Sequence, residues 1–152
     1  MEVRAKKALG QHFLTDQSIA KAIVAALEPA EGGSADVLEI GPGMGVLSQY
    51  LLQREDMDLK MIEIDTESVE YLQKHFPDAA DKVIYGDFLK LDIDHLFSGS
   101  FNVIGNFPYN ISSQIFFRIL DYKDRIPQTV CMIQKEVAER IAEKPGSKTY
   151  GI

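Results

Sequence analysis

The segment Asn106-Phe107-Pro108-Tyr109 combines an amide, a proline and two aromatic rings, residue types suited to holding a purine that carries an amino group. Proline lacks an N–H, so the Phe107 carbonyl can point outward and join the Asn106 side-chain oxygen as a second acceptor for an amine. The Tyr109 ring, with Phe107 as a second candidate, offers a face for base stacking, worth about 1–3 kcal/mol per base. The two acceptors would aim the amine lone pair at an electrophile and stabilise the developing positive charge. The alternative is a structural turn with a buried Tyr, which has little need for both groups.

Three closely spaced glycines, Gly41, Gly43 and Gly45, follow the apolar run Val37-Leu38-Glu39-Ile40. This order is typical of a strand, a tight turn and a helix. Glycine permits positive φ and places no Cβ between backbone and ligand, so an anionic or polar group can approach the amides at the helix start. A dinucleotide fingerprint would need its third glycine where Val46 stands. For this loop alone, a plain strand-to-helix turn is an equally good interpretation.

Two carboxylates lie at the ends of the next two predicted strands. Glu63 ends one strand, where a carboxylate can accept hydrogen bonds from both hydroxyls of a ribose. Asp87 follows the other, where it can accept from the amino group of an adenine. The structural alternatives are a solvated strand end for Glu63 and a turn or helix cap for Asp87.

Strands must alternate with helices to bring these residues together. We predict strands over 37–40, 59–64, 83–85, 101–105 and 129–133, which gives a parallel sheet covered on both faces. Ligands of such sheets bind at the carboxyl ends of the strands. The candidate residues Gly41, Glu63, Asp87 and Asn106 all fall at these ends.

The predicted helices have caps and apolar faces. Thr15 or Asp16 caps the first, Asp65 or Thr66 the next and Ser112 or Ser113 a third, and a last helix is predicted over about 135–143. The apolar faces of the first three consist of Ile19, Ile23 and Leu27, then Val69, Leu72 and Phe76, then Ile115, Phe116, Ile119 and Leu120.

Composition limits the class of protein. The 152 residues fit one domain, and the single cysteine, Cys131, lies in an apolar run, which excludes a disulfide framework and fits a reducing cytoplasm. No uncharged apolar run is long enough to span a membrane. The net charge of −7 argues against a nucleic-acid partner on composition alone.

Together, the strand-end residues indicate an adenosine-containing cofactor beside a platform for an amine-bearing base. No nucleophile, general base or metal-ligand spacing accompanies them, so we expect no metal. The reaction that fits is in-line methyl transfer from a sulfonium donor to an amine, promoted by proximity and orientation. A nicotinamide dehydrogenase is the alternative at the level of the fold.

The motifs of this chain resemble those of class I S-adenosylmethionine-dependent methyltransferases and, more closely, of the ribosomal RNA adenine dimethyltransferase family. The matching segments run in family order over nearly the whole chain: Lys7-Ala8-Leu9-Gly10-Gln11-His12-Phe13-Leu14, Glu39-Ile40-Gly41-Pro42-Gly43-Met44-Gly45, Ile62-Glu63-Ile64-Asp65, Gly86-Asp87, Gly105-Asn106-Phe107-Pro108-Tyr109-Asn110-Ile111-Ser112 and Gln134-Lys135-Glu136-Val137.

The resemblance implies a Rossmann-like α/β fold with a mostly parallel sheet and helices on both faces. Residues 15–152 would form the domain that binds S-adenosyl-L-methionine, and the basic arm 1–14 would be a flap on the substrate side. Family members continue into further strands and a C-terminal helical domain, so we expect this chain to be the first part of a longer enzyme, whose remainder would carry RNA contacts. The donor site would be lined by His12, Leu14, Gly41, Gly43, Glu63, Asp87 and Asn106.

The implied activity is dimethylation of N6 of adenosines in small-subunit (16S) ribosomal RNA. Residues 106–109 would hold the target adenosine, flipped out of its stack. The expected partner is the ribosomal RNA of the pre-30S particle, and the expected enzyme is a cytoplasmic monomer without membrane contact. Two alternatives remain: a non-catalytic, cofactor-binding assembly factor, and a methyltransferase acting on a small molecule or a protein.

Overall fold

In the computed structural model, which describes residues 16–29, 35–107, 111–133 and 148–151, six strands form one parallel sheet. The strands are β1 (Asp36–Ile40), β2 (Asp58–Glu63), β3 (Val83–Tyr85), β4 (Asn102–Asn106), β5 (Thr129–Ile133) and β6 (Lys148–Gly151). Their order across the sheet is β3-β2-β1-β4-β5-β6, and every neighbouring pair is parallel. The predicted parallel α/β architecture is confirmed.

Among the described residues there are five α-helices, of which the first precedes β1 and the others lie between strands: α1 (Gln17–Ala26), α2 (Ser48–Leu51), α3 (Thr66–His75), α4 (Ile93–Leu96) and α5 (Ser112–Asp121). Two 3₁₀ turns, Pro77–Lys82 and Phe88–Lys90, flank β3. The predicted helix over 135–143 lies outside the described residues. None of the described helices has the length and apolar character needed to cross a membrane.

Side chains of successive strand residues pack on opposite faces of the sheet, as strand geometry requires. On one face, Leu38 and Ile40 of β1 pack in a core with residues of α4 and α5. On the other face, Val37 packs in a second core with residues of α1 and α2. The expected helical cover on both faces is therefore confirmed.

The first helix confirms one local prediction and corrects another. Asp16 caps α1 by accepting from the Ser18 N–H at 2.9 Å, as predicted. Ile19 was expected on the apolar face but is 38% exposed. The buried positions of the helix are Ala20, Ile23 and Val24, so the small Ala20 takes the place that the larger side chain was predicted to fill.

The remaining caps differ in outcome. Asp65 caps α3 through the Ser68 N–H at 3.1 Å, as predicted. The prediction of a serine cap for α5 is wrong, because Ile111 is the cap residue without a side-chain hydrogen bond and Ser112 is already helical. The predicted inward residues of α5 are buried except Leu120, which is half-buried.

The strands that follow β1 in the chain lie on both sides of it in the sheet. It proceeds through β2 and β3 to one edge of the sheet and then returns to β4 on the other side of β1. Such a reversal opens a crevice at the carboxyl ends of the two central strands, where α/β proteins bind ligands. In this sheet the two strands are β1 and β4, and Ile40 pairs with Gly105 near their carboxyl ends.

Candidate active site

The glycine loop after β1 requires glycine at three positions. Gly41, Gly43 and Gly45 have φ angles of 68°, 59° and 82°, a region that other residues rarely adopt. The turn is closed by the Gly41 N–H, which donates to the Ile62 carbonyl at 2.9 Å, and by the Gly45 N–H, which donates to the Pro42 carbonyl at 2.9 Å. The loop therefore presents backbone rather than side chains at the carboxyl end of β1.

Glu63 ties this loop to the next strand. The side chain is 2% exposed, which rules out the solvated strand end considered above. Its Oε1 accepts from the Gly43 N–H at 2.9 Å, and its Oε2 accepts from the Asp65 N–H at 3.0 Å. The carboxylate is thus held by backbone groups of the glycine loop and of the cap of α3.

Asp87 occupies the position after β3, as predicted, and it caps the 3₁₀ turn Phe88–Lys90. Its Oδ1 accepts from the Leu89 N–H at 2.9 Å. The structural alternative for this residue is therefore present. Capping engages one oxygen in a fixed direction and is compatible with a ligand contact, because an ionised carboxylate has about four acceptor positions.

Asn106 ends β4 beside the crevice. Its Oδ1 is buried and has no hydrogen-bond partner among the residues that the structure describes. A buried acceptor left without a partner costs about 1–3 kcal/mol, so such an atom requires a reason. The predicted role of Asn106, to accept a hydrogen bond from a bound amine, provides one.

Phe107 does not supply a stacking face. Its ring is buried in the core and packs edge-on against Phe116, with ring centroids 5.9 Å apart, so this part of the prediction is wrong. The apolar ring is better satisfied in the core than at a polar crevice. Pro108, Tyr109, His12 and Leu14 lie outside the described residues.

The sheet register brings the described candidate residues together at the carboxyl ends of the strands. Ile40 pairs with Ile62 and with Gly105, and Glu63 pairs with Tyr85, so the residues that follow these strands are neighbours. Following the strand order β3-β2-β1-β4, the residues at these ends are Asp87, Glu63, Gly41 and Asn106. Within the described part of the chain, no group of three or more His, Cys, Asp or Glu could hold a metal ion.

Two exposed apolar side chains at the ends of β2 and β3 were not predicted from the sequence as part of the site. Ile64, directly after Glu63, is 54% exposed, and Tyr85, at the end of β3, is 62% exposed. Apolar surface beside polar strand ends suits the flat faces of a heterocycle. The available signal was the apolar run of β2, which continues past the end of the sheet.

A buried pair beneath the glycine loop was also missed. Glu39 of β1 is 1% exposed and accepts from the Ser48 hydroxyl of α2 at 2.5 Å. Burial raises the pKa of Glu39 from 4.5 to about 8, against the opposing effect of the Ser48 hydrogen bond, and the charge of Glu63 raises it further. The signal was a carboxyl group inside an otherwise apolar strand.

The Glu39 carboxyl predicts a pH dependence of stability. Its folded pKa lies above its unfolded value, so its contribution is complete below pH 4.5 and is lost as pH rises towards about 8. The free energy of unfolding should fall in this window with a slope of up to about 1.4 kcal/mol per pH unit. Glu39→Gln keeps the shape and the Ser48 hydrogen bond, and it should remove that slope in urea unfolding series. Parallel pH profiles of variant and wild type would contradict this assignment.

Comparison with known proteins gives a match to the family model described as ribosomal RNA adenine dimethylase, over residues 2–152. The chain belongs to this family. The resemblance inferred from the motifs is thereby confirmed.

Relatives of this chain include the ribosomal RNA small subunit methyltransferase A of Cytophaga hutchinsonii, which is 58% identical over 99% of this chain and 58% of that protein. The protein of the same name from Parabacteroides distasonis is 61% identical over 99% of this chain and 55% of that protein. The chain thus spans a little over half the length of these relatives.

Solved structures share the Rossmann-like fold of this chain. The 23S rRNA methyltransferase ErmE superimposes with a TM-score of 0.68 and 26% identity, over 85% of this chain and 51% of that one. A dimethyladenosine transferase from Plasmodium falciparum gives 0.63 and 29% identity, over 82% and 44% of the two chains. The predicted class I methyltransferase fold is confirmed.

Proposed function

We propose that the full-length protein transfers two methyl groups from S-adenosyl-L-methionine to N6 of adenosines in small-subunit ribosomal RNA. The observation that carries this proposal is the buried Asn106 Oδ1 beside the glycine loop, which has no hydrogen-bond partner within the described part of the chain. The family and the names of the relatives, ribosomal RNA small subunit methyltransferases, support the choice of RNA as substrate.

The described residues fit an adenosine-containing donor. Loop backbone at Gly41 and Gly43 would face the donor without an intervening Cβ. Glu63, oriented by two backbone amides, would accept from the ribose hydroxyls. Asp87 would accept from the adenine amino group, and Ile64 would pack against the ring. The resemblance adds His12 and Leu14 to this set.

The reaction requires a methyl carbon made electrophilic by a sulfonium, which S-adenosyl-L-methionine supplies when bound. Asn106 Oδ1 and the Phe107 carbonyl would accept from the N6 amine and aim its lone pair at that carbon. As the nitrogen becomes positive, the same fixed dipoles stabilise the charge without rearranging. Tyr109 would stack on the target base, and Pro108 would keep the turn rigid.

The substrate side and the partners belong to the same proposal. Residues 1–14 would form a basic flap over the RNA, while residues 15–152 form the donor-binding domain. The enzyme would be a monomer that binds the pre-30S particle in the cytoplasm. Because the chain carries a net charge of −7, concentrated basic contacts to RNA are required from the flap and from the rest of the full-length protein.

Mass spectrometry of ribosomal RNA tests this function. Under-methylated small subunits are incubated with the full-length protein and isotopically labelled donor, and adenosines carrying two labelled methyl groups at N6 are expected. An assembly factor without activity would bind the particle and leave its RNA unlabelled. That result, with a donor-saturated protein, would refute the proposed activity.

A further inference from the structure

Arg118 of α5 holds the segment that follows Asp87. Its Nη1 donates to the Leu89 carbonyl at 2.9 Å, and its Nη2 donates to the Leu91 carbonyl at 2.5 Å. The guanidinium also lies over the ring of the buried Phe88, 5.7 Å from its centroid. Arg118 thus contacts two residues of the 3₁₀ turn, Phe88 and Leu89, and Leu91 directly after it.

Leu89 links this clamp directly to Asp87. Its N–H donates to Asp87 Oδ1 at 2.9 Å, while its carbonyl accepts from Arg118. A three-residue 3₁₀ turn has little stability of its own, so contacts from outside it decide its position. A side chain from a different helix is therefore bonded to the residue whose N–H holds the Asp87 carboxylate.

The position of α5 in the chain shows which parts of the candidate site the Arg118 contacts connect. The chain passes through the Asn106–Tyr109 segment, proposed to hold the target base, and then enters α5 at Ser112. Arg118 thus joins the element on the target side to the turn on the adenine side of the donor. Its planar fork satisfies two carbonyls at once, which a lysine ammonium on a flexible stem does not reproduce.

We propose that Arg118 is a positioning residue for donor specificity: it holds Leu89 so that Asp87 meets the amino group of the donor's adenine. This inference rests on the proposed function, which assigns that contact to Asp87. Arg118 acts through Leu89 and Asp87 rather than by touching the reacting atoms.

The test compares two ligands that differ at one position of the purine. S-adenosylhomocysteine carries the amino group that Asp87 would accept from, and S-inosylhomocysteine carries a carbonyl oxygen there. In the full-length protein, calorimetry should give a Kd at least about tenfold higher for the inosyl compound, because a charged acceptor loses its donor. Arg118→Ala should reduce this Kd ratio by about fivefold or more, mainly by weakening the adenosyl ligand. Arg118→Lys, which keeps the charge but not the fork, should give an intermediate ratio and serves if the alanine variant fails to fold.

Arg125 provides the matched control. Its Nε donates to the Gly99 carbonyl at 3.2 Å and its Nη2 to the Phe97 carbonyl at 2.5 Å, so it also holds a loop by two carbonyls. Its Nη1 in addition pairs with the exposed carboxylate of Asp94. The backbone carbonyl of Arg125 accepts from the Phe101 N–H just before β4, at the end of this strand that lies away from Asn106. Arg125→Ala should lower the melting temperature and leave the Kd ratio unchanged.

The possible results distinguish a failure of the role inferred for Arg118 from a failure of the role proposed for Asp87. If Asp87→Ala leaves the ratio unchanged, the role of Asp87 in the proposed function is refuted and the inference falls with it. If Asp87→Ala abolishes the ratio while both Arg118 variants keep it, the inference alone is overturned. A ratio that falls equally in Arg118→Ala and Arg125→Ala would also overturn it, since general loosening would then suffice.

Discussion

Asn106→Ala is expected to lower kcat for methyl transfer to under-methylated small subunits by about 10²–10³-fold, the usual cost of removing one preorganised dipole from a reacting centre. The affinity for S-adenosylhomocysteine should stay close to that of the wild type, because the glycine loop and Glu63 are untouched. Steady-state assays with the full-length enzyme measure the first quantity and calorimetry the second. NAD should give no binding heat in either protein.

Asn102→Ala is the control on the same strand. Asn102 lies at the opposite end of β4, where its Nδ2 donates to the Asp36 carbonyl at 3.4 Å. Its loss should lower stability and leave the turnover of folded enzyme intact. Unchanged turnover in Asn106→Ala would end the catalytic assignment of this residue, and NAD binding would favour the dehydrogenase alternative.

Gly105→Ala should be strongly destabilising. A Cβ at this position would lie 2.5 Å from the Ile40 carbonyl oxygen and 3.1 Å from the Phe107 ring. The nearer atom belongs to the backbone of β1 and cannot rotate away, so the two central strands must separate. We expect a loss towards the upper end of the usual range for overpacking, about 3 kcal/mol in the free energy of unfolding from denaturant titrations.

Gly99→Ala is the matched substitution for this experiment. A Cβ at position 99 would meet nothing within 4 Å, so this variant should stay within about 0.5 kcal/mol of the wild type. Equal stability of the two variants would show that β1 and β4 can separate at little cost.

The central strands could be predicted because they are buried on both faces. Val37 to Ile40 and Leu59 to Ile62 form nearly continuous apolar runs, the pattern of a parallel sheet with helices on each side. The fifth strand, Thr129–Ile133, was predicted with the bounds that the structure gives it. β6 was not predicted, because Lys148–Gly151 contains no apolar run and is recognised as a strand only through its pairing with β5.

The polar part of the site was predictable in position and less so in contacts. Strand ends placed Glu63, Asp87 and Asn106 at one edge, since parallel strands end together. The hydrogen bonds of Glu63 to the Gly43 and Asp65 amides depend on how two loops meet in space, which spacing alone does not encode. Phe107 was misassigned because an aromatic residue beside a polar motif gives no sequence signal for which way its ring turns.

The dual attachment of Glu63 complicates any genetic dissection of this protein. Replacing Glu63 would release the Gly43 and Asp65 amides as well as remove the proposed ribose acceptor, so one substitution has two inseparable effects. The sugar contribution is better measured by editing the ligand, with 2′-deoxy and 3′-deoxy analogues on an unmodified protein. For the same reason, natural variation at this position should be narrow even among descendants that have lost their original substrate.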